Sequence, residues 1–348
     1  MKFSKDLLMN ELHVFHLDNL PEDQKKVWQE TAGAFDAAVD FLNTGESDQL
    51  PNELGSVEYL IVNKTQLTHD MLDAAPNLKF VQIEGRLSHT LPIQALKQRG
   101  IAVAAAALPS TIAVAEHAVA LTLACAKKII PAHRMTMDGD YRTLGIAPKV
   151  TTERSHGFQW MKIDGLVELD GLTLGIFGYG EIGNEIAIRM KAFNMKVLYH
   201  KRSRFSPGYE QDLGITYADK RQLFAESDVV ILNCPLTAVT EKSVGARELS
   251  LMKSSAILVN VSRGGVIDEP ALVKALEEKR IACAGLDVFV EEPVPHDHPY
   301  LFLKNIVLTP HIAGGKGNGR VRNIQRVLEN IILFHQSGRA QNQIIGNN

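Results

Sequence analysis

Along the chain, short runs of apolar residues alternate with longer stretches in which apolar positions recur every third or fourth residue. Short apolar runs bounded by turn residues predict buried parallel strands, and the longer pattern predicts helices covering them on both faces. The first set of strands is expected at Leu12 to Leu17, Ala37 to Leu42, Tyr59 to Asn63, Lys79 to Ile83 and Ile101 to Ala107, with helices near 21–31, 68–75 and 91–99. Ile112 to Ile130 reads as a long apolar helix stopped by Pro131, and Met135 to Leu169 as a long connection or arm with weak periodicity. A second set of strands follows at Leu172 to Phe177, Lys196 to Tyr199, Val229 to Asn233, Ala256 to Val261, Ala282 to Val288 and Ile306 to Leu308, with helices between them. In the final segment, Asn318 to Gln336, Val321, Ile324, Leu328 and Ile331 share one helical face, which predicts that it packs back onto the first domain. The fold class is α/β, with two doubly wound parallel-sheet domains.

At 348 residues, 45% of them hydrophobic and 22% charged, the chain can bury two cores. A net charge of -3 provides no basic field of the kind that drives phosphate-backbone binding, so nucleic acid is not an expected partner. The start, Met1 to Leu8, has charges scattered through it and no signal-like apolar region. No stretch was expected to reach the roughly 18 apolar residues of a membrane span, so a cytoplasmic protein without a membrane partner is predicted. Cys125, Cys234 and Cys283 lie far apart in apolar runs, which favours buried free thiols over disulfides or a metal site.

Gly178-Tyr-Gly180-Glu181-Ile182-Gly183 follows a predicted strand and opens a predicted helix. Its first glycine permits a tight turn, its second lets the backbone approach a pyrophosphate, and its third lets helix and strand pack closely. The helix N-terminus then offers free N–H groups to the phosphates. A dinucleotide is the expected ligand. Sites that prefer NAD place a carboxylate on the ribose about 20 residues further on. Here the chain reads Lys196-Val-Leu-Tyr-His-Lys201-Arg202-Ser203-Arg204, with no acid. Cations and a hydroxyl suit a 2′-phosphate, so NADP is favoured over NAD, which stays open.

Several separated motifs resemble the D-isomer-specific 2-hydroxyacid dehydrogenase family, in the expected order. They are Val-Ala-Glu116-His117, the segment Leu169 to Gly178, Asn233-Cys234-Pro235-Leu236-Thr237 with Thr240, Asn260-Val261-Ser262-Arg263-Gly-Gly265, Gly285-Leu-Asp287-Val-Phe, Glu292-Pro293 and Thr309-Pro310-His311-Ile-Ala-Gly314-Gly315. The resemblance implies a flavodoxin-like substrate domain, 1–111 with 316–348, into which a Rossmann-type nucleotide-binding domain, 112–315, is inserted. It implies Arg263, Glu292 and His311 as catalytic residues. It also implies cofactor contacts from Glu181, Ile182, Cys234, Pro235, Thr240, Val261, Ser262, Asp287 and Gly314, with Asp287 holding the nicotinamide carboxamide. The residues support the trio directly. Arg263 ends a strand where α/β sites lie, and its planar fork suits a 2-keto acid. A carboxylate at Glu292 beside His311 would raise the imidazole pKa and fix its tautomer.

The loop after the Lys79 to Ile83 strand departs from the family's usual Gly-x-Gly-x-Asp and reads Glu84-Gly85-Arg86-Leu87-Ser88-His89-Thr90. Gly85 and Arg86 are the substrate-binding candidates there, with Arg263 and His311. The expected activity is hydride transfer between NADP(H) or NAD(H) and a small 2-keto or 2-hydroxy acid, like that of a glyoxylate or hydroxypyruvate reductase, in a homodimer. A phosphite dehydrogenase-like enzyme and a dinucleotide-binding, corepressor-like dimer remain alternatives.

Overall fold

The computed structural model describes residues 12–42, 53–152 and 157–345. The chain divides into two compact units, Met1–Ala113 with Gly314–Asn348, and Val114–Ala313.

In the first unit, β1 (Leu12–His16), β2 (Ala37–Phe41), β3 (Tyr59–Val62), β4 (Phe80–Glu84) and β5 (Ala102–Ala106) form a parallel sheet. A short strand, β13 (Gln343–Ile345), closes one edge antiparallel to β5, giving the order β13-β5-β4-β3-β1-β2. Helices α1 (Glu22–Gly33) and α11 (Gly319–Ser337) bury Trp28, Ile324, Leu328 and Ile331 against Val14, Phe80 and Ala104. Helices α2 (His69–Asp73) and α3 (Ile93–Gln98) put Leu72 and Leu96 with Leu60, Val81 and Ile83 in a second core. Residues of β3 and β5 are buried on both faces, which is why they read as continuous apolar runs.

The second unit carries β6 (Thr173–Phe177), β7 (Lys196–His200), β8 (Thr216–Tyr217), β9 (Val229–Leu232), β10 (Ile257–Asn260), β11 (Cys283–Leu286) and β12 (Ile306–Leu308), all parallel, in the order β12-β11-β10-β9-β6-β7-β8. Strand order reverses at β6, so the crevice between the carboxyl ends of β6 and β9 is the topological switch point where such sheets bind ligands. Helices α6 (Glu181–Lys191), α7 (Pro207–Leu213), α8 (Lys220–Glu226), α9 (Ala246–Leu251) and α10 (Glu269–Glu277) follow β6, β7, β8, β9 and β10 in turn. Phe224, Leu249, Leu272 and Leu276 fill one core with Val230, Leu232, Leu258 and Leu286.

Two expectations need correction between residues 109 and 145. Pro131 does not end a helix. Helix α4 spans Pro109–Ala126, Lys128 turns left-handed at φ 52°, and α5 spans Ile129–Asp138 with Pro131 in its first turn. A first-turn residue has no intrahelical acceptor for its N–H, so proline is tolerated there. Gly139 at φ 72° then ends α5 in the left-handed conformation, and one short 3-10 turn, Asp140–Leu144, follows before the irregular arm. Part of that arm, 153–156, lies outside the described residues. By length and composition α4 could also cross a membrane, contrary to the expectation that no stretch would be long and apolar enough. Its Leu121 and Cys125 pack against β11 at Gly285, where an added Cβ would lie 3.2 Å from Leu121 and 3.3 Å from the Cys125 sulfur.

Candidate active site

The loop at the end of β6 is built by close backbone approach. Gly178 has φ 100°, and a Cβ there would lie 2.5 Å from the Cys234 nitrogen and 2.6 Å from the Asn233 carbonyl carbon, so the β6 and β9 loops meet only because the side chain is absent. Gly183 sits where a Cβ would come within 3.0 Å of the Gly178 carbonyl oxygen. Gly180, the residue preceding α6, has nothing within 4 Å of where its Cβ would be. The first amide of α6 to find a backbone acceptor in that turn is that of Asn184, which donates to the Gly180 carbonyl. The first turn of α6 thus opens beside the space that Gly180 leaves clear. This is a cradle for a pyrophosphate, so the residues present fit a dinucleotide.

After β7, the basic run divides its work. The Arg204 guanidinium holds Glu210 through two contacts, Nε to Oε1 at 2.8 Å and a terminal nitrogen to Oε2 at 2.9 Å, and the Tyr199 hydroxyl adds a third at 2.7 Å. Arg204 depresses the Glu210 carboxyl below the usual range, and burial only partly offsets this. Arg204 is therefore committed to the protein. Lys201 lies 3.7 Å from the Phe205 ring centroid, and burial lowers its ammonium pKa. Arg202 and Ser203 are exposed.

Cys234 is buried after β9, with exposed Pro235 beyond it. The Thr240 hydroxyl donates to the Pro235 carbonyl at 2.6 Å and so closes that loop.

At the end of β10 buried Asn260 organises the next turn. Its Oδ1 accepts the Ser262 amide at 3.0 Å and the Ser262 hydroxyl at 2.8 Å, while its amide donates to the Arg263 carbonyl at 3.0 Å. Val261 and Ser262 are buried behind it, and Arg263 is exposed, with one guanidinium nitrogen on the Ser262 carbonyl at 2.6 Å. The following Gly264 packs directly on the backbone of Phe289 and Val290, which leads to Glu292.

His311 follows β12, and its Nδ1 lies 2.6 Å from Glu292 Oε2. The other carboxylate oxygen, Oε1, accepts the Phe289 amide at 3.0 Å. Desolvation raises the Glu292 pKa, but His311, the Phe289 amide and the Arg263 charge outweigh it, so the carboxyl titrates below its usual value. The side chains of His311 and Glu292 are 44% and 35% exposed, enough to meet a ligand. A cavity of about 510 Å³ beside the pair is walled by Phe289, Val294, Leu301, Leu308 and Pro310.

Asp287, at the end of β11, is fully buried and turned towards this loop. Its carboxylate accepts the Thr309 hydroxyl at 2.6 Å and the amides of Ile312 at 3.0 Å and Ala313 at 2.9 Å, while its carbonyl accepts the His311 amide at 2.9 Å. His311 itself is left-handed, φ 51°. Sequence reasoning assigned Asp287 a cofactor contact and missed this clamp, as it missed Asn260. Gly85, at φ 130°, Arg86 and Gly314 belong to the other unit. All the remaining candidates lie at the carboxyl ends of the second unit's strands.

Residues 119–313 match the family model described as D-isomer specific 2-hydroxyacid dehydrogenase, NAD binding domain. A glyoxylate reductase of Aeropyrum pernix is 39% identical over 77% of this chain and 76% of its own length. Among solved structures, an NADPH-dependent glyoxylate/hydroxypyruvate reductase from Sinorhizobium meliloti, in complex with NADP and malonate, is similar at 26% identity and a TM-score of 0.52, covering 97% of this chain and 99% of that one. A Granulicella formate dehydrogenase is similar at 25% identity and a TM-score of 0.54, over 90% and 82% of the two chains.

Proposed function

The chain belongs to the D-isomer specific 2-hydroxyacid dehydrogenases, and from that premise we propose that it reduces a small 2-keto acid of the glyoxylate or hydroxypyruvate class to the D-2-hydroxy acid, with NADPH preferred to NADH. The observation that carries the reading is the 2.6 Å contact between His311 Nδ1 and Glu292 Oε2, at strand ends neighbouring that of Arg263. The reduced nicotinamide supplies the hydride when bound. Glu292 accepts the Nδ1 proton of His311, which leaves Nε2 to present a proton to the substrate's carbonyl oxygen. In the reverse direction the neutral imidazole takes the hydroxyl proton. Arg263 offers a planar pair of N–H groups to the substrate carboxylate and stabilises the charge that builds on the carbonyl oxygen.

The α6 amides over Gly180 bind the pyrophosphate, and Asp287 lies near the carboxamide end of the cofactor. Lys201, Arg202 and Ser203 read a 2′-phosphate, while Arg204 shapes the loop through Glu210. The reading extends to a homodimer built on the arm and α5, where Ile129, Ile130, Met137 and Leu144 are exposed.

The test is NADPH oxidation with glyoxylate, hydroxypyruvate, 2-ketogluconate and phenylpyruvate, alongside a His311→Ala variant. A positioned general acid contributes about 10²- to 10⁴-fold, so the variant loses at least that factor in kcat and keeps its affinity for NADPH. Turnover undiminished in His311→Ala removes the assignment.

A further inference from the structure

The helix α4 contributes a histidine that the chemistry above does not use. His117 is 17% exposed, and its Nε2 lies 2.9 Å from the Thr309 hydroxyl oxygen and 3.2 Å from Asp287 Oδ1. The three side chains come from α4, from the end of β11 and from the end of β12, and all belong to the second unit.

The hydrogen-bond roles in this triangle follow from its members. Asp287 is wholly buried and its carboxylate can only accept, so at 2.6 Å the Thr309 hydroxyl must donate its single proton to Oδ1. That hydroxyl can then only accept from His117, so His117 carries its proton on Nε2. Among the described residues, no other histidine, lysine or arginine pairs with Asp287. A carboxylate removed from water in this way depends on the donors aimed at it, and the loss of one leaves a costly deficit.

What Asp287 does with that charge gives the triangle its meaning. Its oxygens take the amides of Ile312 and Ala313 and its carbonyl takes that of His311, so one buried residue ties down the turn that carries the proton donor. A non-glycine residue in the left-handed region costs about 1–2 kcal/mol. His311 adopts that conformation at φ 51° because the turn around it is over-determined.

We propose that His117 is a positioning residue for the reaction: through Thr309 and Asp287 it holds the backbone turn that aims the His311 imidazole at the substrate. It touches neither substrate nor cofactor and acts at a distance through two side chains. The proposal rests on His311 being the proton donor.

The test compares His117→Ala, His117→Gln and Thr309→Val. A glutamine places an N–H donor close to where the imidazole Nε2 stood, whereas alanine places none. Loosening the aim of a reacting group by about an ångström costs on the order of 10²-fold, so His117→Ala and Thr309→Val are expected to lower kcat about ten- to a hundredfold. The KM for NADPH changes far less than kcat, because the pyrophosphate cradle is untouched and only the carboxamide end beside Asp287 is loosened. His117→Gln recovers most of the loss. A residue that merely packs α4 on the sheet would lower thermal stability alike in both His117 variants and leave kcat unchanged.

A second measurement needs no substrate. Hydrogen exchange in the peptide containing residues 309–313 should quicken at least about tenfold in His117→Ala and return towards the parent in His117→Gln, while the β6 to β9 strands stay protected. If exchange responds as stated but no keto acid is turned over by the parent protein, the reductase reading has failed and the clamp stands. Parent-like exchange and kcat in His117→Ala overturn the proposal. Should that variant not fold, parent-like values in Thr309→Val overturn it equally.

Discussion

Gly264 is where the loops carrying Arg263 and Glu292 touch, and replacing it by alanine tests the coupling of these two proposed catalytic residues. An added Cβ would lie 1.9 Å from the Phe289 carbonyl carbon, 2.1 Å from its oxygen and 2.3 Å from the Val290 nitrogen. All three are backbone atoms, so no side-chain rotation relieves the clash. Ordinary contact begins near 3.4 Å, so the two segments must part by about 1.5 Å, the difference between 3.4 and 1.9. Arg263 precedes this contact directly, and Glu292 follows it on the other strand's loop. Over-packing of this kind costs about 1–3 kcal/mol of stability. The displacement exceeds the ångström that typically costs about 10²-fold in rate when reacting groups are misplaced. Gly264→Ala should therefore fold, unfold at a lower temperature, and reduce its keto acid with kcat lowered on the order of a hundredfold. Dinucleotide affinity, measured by fluorescence titration, should fall far less than kcat, because the Gly178 to Gly183 loop that faces the pyrophosphate lies two strands away from the contact. Parent-like kcat in a correctly folded Gly264→Ala protein would refute the argument that Arg263 and Glu292 are held in register by this contact.

Replacing Lys201 and Arg202 together by serine should weaken NADPH about tenfold to a hundredfold, since hydrogen bonds to charged groups contribute about 1.5–3 kcal/mol. NADH binding should change little, and equal weakening of both cofactors would show that the run does not read the 2′-phosphate. The Glu292 carboxyl has a folded-state pKa below its free value. Its contribution is therefore complete above about pH 4.3 and lost as the pH falls through the depressed value. The acid limb of kcat/KM for reduction should lie below that pH, and a limb centred above pH 5 would contradict the assignment. Arg263→Lys should lose most of the activity because an ammonium cannot make the bidentate contact, and near-parent turnover would point to a point-charge role instead.

Strands such as β3, β5 and β9 were legible because both of their faces are covered, so their hydrophobic runs carry no polar interruption. The nucleotide loop was legible because Gly178, Gly180 and Gly183 each answer a separate spatial demand, and the context of strand and helix comes with them. Arg263, Glu292 and His311 were picked out by resemblance to the family's motifs, with the predicted strand ends beside Arg263 and His311 in support. What stayed hidden depended on contacts between distant positions. Nothing near Arg204 in the sequence marks Glu210 as its partner, and that pairing takes one cation out of the expected 2′-phosphate set. The Asp287 clamp and the Asn260 brace look like ordinary strand-end polar residues until the loops are in place. The 109–145 region misled for a local reason: proline normally stops a helix, and only the left-handed Lys128 before it moves Pro131 into a new first turn. Strand β13 is too short, and too polar at Gln343, to announce itself.

The three-residue strand β12, which delivers His311, borders β11 on one side and, among the described residues, no strand on the other. An outermost strand with so few ladder bonds opens before the central strands β6 and β9. The imidazole thus hangs from an outer hem of the sheet while the nucleotide cradle sits at a central seam. Fraying of that hem alone would silence turnover in a molecule still able to grip its cofactor.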